Sequence, residues 1–322
     1  MHKSGKDDRW GGMKKVFIDG RSGTTGLRIY ERLSEREDIE LLSLSEDKRH
    51  DVSARKKFLN EADIAFLCLP DDAARESADF IENPDTVVID TSTAHRTADG
   101  WAYGFPELSA AFEEKIRGSK RIASPGCHAS GFIALVYPLI EEDIIEKDIL
   151  LSCFSLTGYS GGGKKMIAEY ENEKKKDNLS YPGQYGLSQN HKHLREMTAV
   201  TGLENSPIFC PVVDDFYSGM EVTVPLFSKQ LKKGKSTQDI IKAYSEKYNG
   251  PIVFFKEADE EKKTLYAGEL SEKDSMKVTV YGGEERILLT AVYDNLGKGA
   301  SGAAIECMNI VMGKNKEYGL NI

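Results

Sequence analysis

The stretch Lys14-Lys15-Val16-Phe17-Ile18-Asp19, continuing as Gly20-Arg21-Ser22-Gly23-Thr24-Thr25-Gly26, sets an apolar run directly against a glycine-rich turn. The run predicts a buried strand, and Leu27, Ile29, Tyr30 and Leu33 then share one side of a helix. A strand feeding a helix through glycines suits a pyrophosphate. Glycine permits a tight turn and close backbone approach, and the helix start presents N–H donors. Gly20, Ser22, Gly23, Thr24, Thr25 and Gly26 are therefore the candidate phosphate contacts. The GxxGxxG spacing differs from GxGxxG, so the flanking strand and helix carry much of the reading.

The same rhythm runs on. Segments 39–44, 63–70 and 86–90 read as strands, and 51–59 and 72–81 as helices. Alternation of this kind predicts an α/β domain, a Rossmann-like parallel sheet with helices on both faces. The second strand ends Ser43-Leu44-Ser45-Glu46-Asp47-Lys48-Arg49 rather than in the lone acid that holds an NAD ribose. Ser45 and Arg49 suit the extra phosphate of NADP, although Glu46 and Asp47 oppose it.

Beyond residue 145 the texture changes. Segments 149–156, 220–226, 252–255, 276–281 and 287–293 are strand-like, and several alternate apolar with polar, as in Met276-Lys277-Val278-Thr279-Val280. This predicts a mixed or antiparallel sheet with one wet face, in an α+β domain. Segments 194–201 and 237–248 read as helices, while 164–176 reads as a solvated helix or mobile segment. The expected domains are 13–125 for the dinucleotide, completed by a helix over 299–315, and 126–298 for catalysis and substrate. Residues 1–12 read as a disordered leader or expression remnant, with Met13 as the natural start.

The 322 residues carry 43 Lys and Arg against 52 Asp and Glu, a net charge of −9. That balance argues against a nucleic-acid partner. No apolar run is long enough to span a membrane. The five cysteines, at 68, 127, 153, 210 and 307, show no CxxC spacing, which argues against a disulfide framework or a zinc site.

One cysteine differs from the rest. Ser124-Pro125-Gly126-Cys127-His128 leads into the apolar stretch 132–139, so Cys127 is expected at a helix start. The helix dipole and nearby amides there are expected to lower its thiol pKa and to stabilise an oxyanion. A base is expected in His191-Lys192-His193-Leu194-Arg195-Glu196, where (i, i+3) spacing sets Glu196 beside the His193 imidazole to orient it. His-x-His also fits a metal pair, but the chain offers no convincing third ligand. No metal is expected.

Taken together, the GxxGxxG start, Ser124-Pro125-Gly126-Cys127 and the His-x-His-x-x-Glu segment resemble N-acetyl-gamma-glutamyl-phosphate reductases of the shorter type. Segments 90–96, 103–108 and 294–300 agree with that resemblance, which runs from Met13 onward. It implies NADPH-dependent reduction of N-acetylglutamyl 5-phosphate to the 5-semialdehyde, a cytoplasmic step of arginine biosynthesis, in a homodimer or homotetramer. It also implies a substrate and dimerisation role for the second domain. Cys127 is then the nucleophile, His193 the proton shuttle and Glu196 its partner, with His191 at the substrate. Leu69, Pro70, Ser92, Ser160, Gly161, Gly162 and Asn295 join the cofactor set, and Arg96 and Lys164 meet substrate anions. Aspartate-semialdehyde dehydrogenase shares the chemistry and is the nearest alternative; a non-catalytic dinucleotide-binding redox sensor is another.

Overall fold

The backbone is seen in a computed structural model that describes residues 12–259 and 261–322. The expected leader lies outside the described residues, apart from Gly12. The first unit runs β1 (Lys14–Asp19), α1 (Thr24–Ser34), β2 (Ile39–Leu42), α2 (Val52–Glu61), β3 (Ile64–Leu67), α3 (Asp71–Asp79), β4 (Val87–Asp90), β5 (Ala102–Tyr103), α4 (Ala110–Gly118) and β6 (Arg121–Ala123). Its strands form one parallel sheet in the order β2-β1-β3-β4-β6-β5. Strand order reverses between β1 and β3, and ligands of open α/β sheets bind outside such a switch point.

Alternation along the strands builds a core on each side of this sheet. Val16, Ile18, Ile64, Phe66 and Ile89 pack toward α1 and the last helix. Phe17, Ala65, Leu67 and Val88 pack on the opposite face with Leu59 of α2. The last helix is α9 (Gly302–Val311), whose Ala304, Ile305, Cys307 and Met308 lie in the first of these cores.

Between them stand α5 (Cys127–Glu141), β7 (Ser152–Gly158), α6 (Gly163–Tyr170), β8 (Gly183–Gln184), α7 (Lys192–Thr201), β9 (Ile208–Asp214), β10 (Met220–Phe227), α8 (Thr237–Lys247), β11 (Val253–Phe255), β12 (Met276–Gly282) and β13 (Arg286–Tyr293). These strands form a mixed sheet, β11-β12-β13-β10-β7-β9-β8. Helix α5, buried nearly all round, packs with α7 and α8 on one face of it.

The expected wet face is dry at one end. Lys277 and Thr279 of β12 are buried, and Lys277 pairs with Glu269 from the segment that crosses that face. At the other end Phe154, Phe227, Ile208 and Leu288 are exposed. Strand β9 escapes the sequence reading because Pro211 interrupts its pattern. Beside it β8 is only two residues long, so a missing amide costs little at this edge.

Candidate active site

At the end of β1, Gly20 takes φ +87°, and a Cβ there would lie 2.2 Å from the Cys68 carbonyl oxygen of the next strand. Only glycine fits such a turn. Gly26 is likewise closed in, its would-be Cβ 2.5 Å from the Gly20 carbonyl, so it serves close packing of α1 rather than lining the cleft. Gly23 caps α1 and binds back to Gly20 O at 2.9 Å. The amides of Thr24, Thr25 and Gly26 stand at the helix start, where N–H groups have no intrahelical acceptor. Thr24 Oγ1 is buried beside them with no partner.

A groove runs from this loop in both directions. Outward, Gly20, Ser22, Ser45, Arg49, Leu69 and Pro70 line a cleft of about 990 Å³. Arg21 lies there too, 3.1 Å from Ser43 Oγ and stacked on Tyr30. Inward, Gly23, Thr24, Thr25, Ser92, Ser160 and Gly161 line the next section. The donors, the orphaned hydroxyl and the absence of an acid at the tip of β2 suit a dinucleotide with a third phosphate. Two expected cofactor residues are already engaged: Ser92 Oγ donates to Asp90 at 2.7 Å, and Asn295 donates to Ser160 Oγ at 3.0 Å while accepting from Gly219 N at 2.9 Å.

The groove ends in a cavity of about 280 Å³ lined by Arg96, Cys127, Gly161, Gly162, His191, His193 and Asn295, with Tyr185 and Lys192. Cys127 opens α5 after Gly126, and its carbonyl accepts from Tyr293 Oη at 2.5 Å. Gly299 packs so closely that a Cβ there would lie 3.1 Å from Cys127 Cβ.

Three expectations are corrected here. Glu196 does not bond His193: its oxygens accept from Gly126 N at 2.7 Å, Tyr103 Oη at 2.8 Å and Arg96 Nη1 at 3.0 Å. It anchors the cysteine turn instead, and His193 Nδ1 is buried without a partner. The Cys127 thiol pKa is raised, not lowered. Burial pushes it up, outweighing Arg96, the His128 amide and Lys192, which pull it down. Lys164 lines the outer cleft with Ser45 and Arg49, away from the cavity around Cys127.

Arg96 is also committed within the protein, donating to Ser124 O and Thr91 O as well as to Glu196. The three histidines around the cavity, His128, His191 and His193, are pushed toward their neutral form. Burial and then Arg96 push His193 well below its ordinary value. Burial pushes His191 down, and takes His128 to about 3. His191 Nδ1 accepts the His193 amide at 3.2 Å, which leaves its proton on Nε2.

Lys192, Tyr185 and Tyr103 were not singled out by sequence reading. Lys192 stood unremarked between two histidines, and Tyr185 lies in a stretch without periodicity. Among the described residues no helix is long and apolar enough to cross a membrane, and no group of three His, Cys, Asp or Glu is placed to hold a metal.

Comparison with known proteins gives two family matches. Residues 15–117 match the semialdehyde dehydrogenase NAD-binding domain family, and 127–295 the semialdehyde dehydrogenase dimerisation domain family. N-acetyl-gamma-glutamyl-phosphate reductase 2 of Nostoc sp. strain PCC 7120 is 42% identical over 95% of this chain and 99% of its own. The Sinorhizobium medicae protein named N-acetyl-gamma-glutamyl-phosphate reductase is 44% identical over 92% of this chain and 98% of its own. Among solved structures, aspartate semialdehyde dehydrogenase II of Vibrio cholerae superposes with TM-score 0.71 over 94% of this chain and 98% of that one. That likeness, at 17% identity, shows the fold alone.

Proposed function

Because the chain belongs to the N-acetyl-gamma-glutamyl-phosphate reductase family, we propose that it reduces N-acetyl-L-glutamyl 5-phosphate to N-acetyl-L-glutamate 5-semialdehyde with NADPH, releasing phosphate. The observation that carries the reading is the meeting of Cys127, His193 and the end of the glycine-loop groove in one cavity. Cys127 Sγ attacks the acyl carbon, and neutral His193 takes the thiol proton. A C–S bond forms, the acyl–phosphate C–O bond breaks, and a thioester on Cys127 remains. Lys192, at the cavity mouth, attracts the departing phosphate. A reduced nicotinamide held along the groove would supply a hydride to the thioester carbon; the C–S bond then breaks, the aldehyde leaves, and Cys127 Sγ regains the proton held by His193.

The residues that hold the cofactor are the glycine-loop and α1 amides with Thr24 Oγ1 for the pyrophosphate, and Ser45 and Arg49 for the extra phosphate. Leu69 and Pro70 wall the cleft, and the spare N–H of Asn295 serves the amide end. Arg21 and Lys164 add positive charge to the outer cleft. His191, donating from Nε2, and the remaining N–H groups of Arg96 orient the substrate. A reactive free thiol requires a reducing compartment, which favours the cytoplasm. The exposed Phe154, Phe227, Ile208 and Leu288 favour a homodimer or homotetramer joined through the second sheet.

The test runs the reaction backwards: NADP reduction with phosphate and N-acetylglutamate semialdehyde, or with aspartate semialdehyde. Wild type is expected to turn over the first and Cys127→Ala neither. Preference for aspartate semialdehyde, or normal turnover by Cys127→Ala, defeats the reading.

A further inference from the structure

Behind Cys127 lies a buried chain of polar groups that the reaction as described does not use. Ser155 Oγ on β7 is 2.6 Å from His128 Nδ1, and His128 Nε2 is 2.6 Å from Tyr185 Oη. Ser155 and His128 are buried, whereas Tyr185 reaches the cavity wall that it shares with Cys127. Ser155 Oγ has no other hydrogen-bond partner among the described residues, so the direction of the chain is decided at its buried end. If His128 carried its proton on Nδ1, the Ser155 hydroxyl proton would have nowhere to go, and a buried donor would be lost. If Ser155 donates to Nδ1, the neutral imidazole carries its proton on Nε2 and donates to Tyr185 Oη. The Tyr185 proton then points outward, into the cavity. His128 is locked neutral by burial, with a pKa of about 3, so it holds a single proton throughout.

We propose that Tyr185 is a catalytic residue that donates its hydroxyl proton as a hydrogen bond to the acyl oxygen as Cys127 attacks, and that Ser155 and His128 are positioning residues that fix the direction of that donor. The inference rests on the thiol-acylation reading of Cys127. In that step the thiolate pair forms the C–S bond and the C=O π pair moves onto oxygen. The resulting oxyanion accepts from Tyr185 and from the amides at the α5 start, then collapses as the leaving oxygen departs with the C–O pair. Tyr185 keeps its proton: burial, and next the nearby Cys127, hold its pKa above the ordinary phenol value. A donor that sharpens only as charge develops on oxygen acts on the transition state rather than on substrate binding.

An acyl probe separates this proposal from the identity of the substrate. p-Nitrophenyl acetate acylates a reactive cysteine and releases p-nitrophenolate, whatever the natural substrate. Wild type is expected to give a burst that Cys127→Ala lacks. Tyr185→Phe is expected to slow the burst about 100-fold, with the half-saturating probe concentration within about threefold of wild type. Ser155→Ala is expected to slow it about tenfold in the wild-type background and not at all in Tyr185→Phe, because Ser155 acts through Tyr185. Long-range 1H–15N spectra of the histidine-labelled protein are expected to show His128 as the Nε2–H tautomer.

An Nδ1–H tautomer overturns the proposal. So does a Tyr185→Phe burst within threefold of wild type, or an equal Ser155→Ala loss in both backgrounds. A wild type without a burst overturns it together with the thioester mechanism. A normal wild-type burst without turnover of N-acetylglutamate semialdehyde defeats the substrate reading alone.

Discussion

Replacing Glu196 by glutamine tests the corrected role of that carboxylate. Its side chain is 2% exposed and that of its partner Arg96 is 7% exposed, at an N–O distance of 3.0 Å. Glu196 also accepts from Gly126 N and Tyr103 Oη, so three donors converge on two oxygens. Glutamine keeps the size but removes the charge, and it turns one oxygen into an amide that faces a donor. A buried pair broken at one end costs about 3–5 kcal/mol, because the other charge is left uncompensated. Glu196→Gln is therefore expected to lose about 3–5 kcal/mol in urea unfolding. Its kcat is expected to fall, since the cysteine turn loses the carboxylate that holds the Gly126 amide. Arg96→Met is expected to cost a similar amount. The double variant is expected to recover about 2 kcal/mol of the summed loss, because no lone charge remains buried, yet it stays inactive. Losses that add within about 0.5 kcal/mol refute the coupling. A kcat left intact by Glu196→Gln refutes the anchoring of the cysteine turn.

Gly20→Ala is expected to lose about 2–3 kcal/mol through its left-handed backbone and its overlap with the Cys68 carbonyl, and to abolish the fluorescence change on NADPH addition. A variant that still binds NADPH like wild type would contradict the close turn. Arg49→Ala is expected to raise KM for NADP about tenfold and leave NAD unaffected, which steady-state kinetics with both cofactors would read. Glu306 lies buried with Glu107 and Lys298, and burial first, then Glu107, pushes its carboxyl up to about 8. The folded state thus keeps a proton that the unfolded chain releases near the ordinary 4.5, and stability falls as pH climbs from about 4.5 to about 8. Glu306→Gln is expected to flatten the decline in melting temperature across that window; an unchanged slope would remove Glu306 as its cause.

What was legible in the sequence was whatever a single stretch of chain settles by itself. The run from Lys14 to Gly26 fixes a strand, a turn and a helix through local apolar pattern and glycine sterics, and β1 begins and ends where that pattern places it. The start of α5 at Cys127 is local in the same sense. The burial of Lys277 and Thr279 was not legible, since a segment distant in pairing covers them. The Glu196 contacts were misread for a related reason. The (i, i+3) rule brings Glu196 near His193 on α7, but it is silent about Gly126, Tyr103 and Arg96, which reach the same oxygens from other elements. Three donors, one of them a charged guanidinium, outcompete one neutral imidazole.

The same competition governs the cysteine. A helix start and its free amides were grounds to expect a thiolate at rest; the helix start is present, and Arg96 and Lys192 add two cations that pull the thiol down. Arg96, however, is already neutralised by Glu196, and the Glu196 charge itself pushes the thiol up. What remains is desolvation, which favours the neutral thiol. A neutral resting thiol makes proton removal part of the attack, and this gives the burial of His193 its sense: an imidazole held neutral by burial, and next by Arg96, has a free site for that proton. It also slows the thiolate-driven oxidation that would destroy the nucleophile between turnovers. It follows that alkylation of Cys127 by iodoacetamide should be slow at neutral pH and climb above pH ~9, the ordinary thiol range. Glu196→Gln, though less active, should alkylate faster at neutral pH than wild type, because removing its charge leaves Arg96 to draw the thiol pKa down. Faster alkylation in the wild type would mean that the helix start governs the thiol after all.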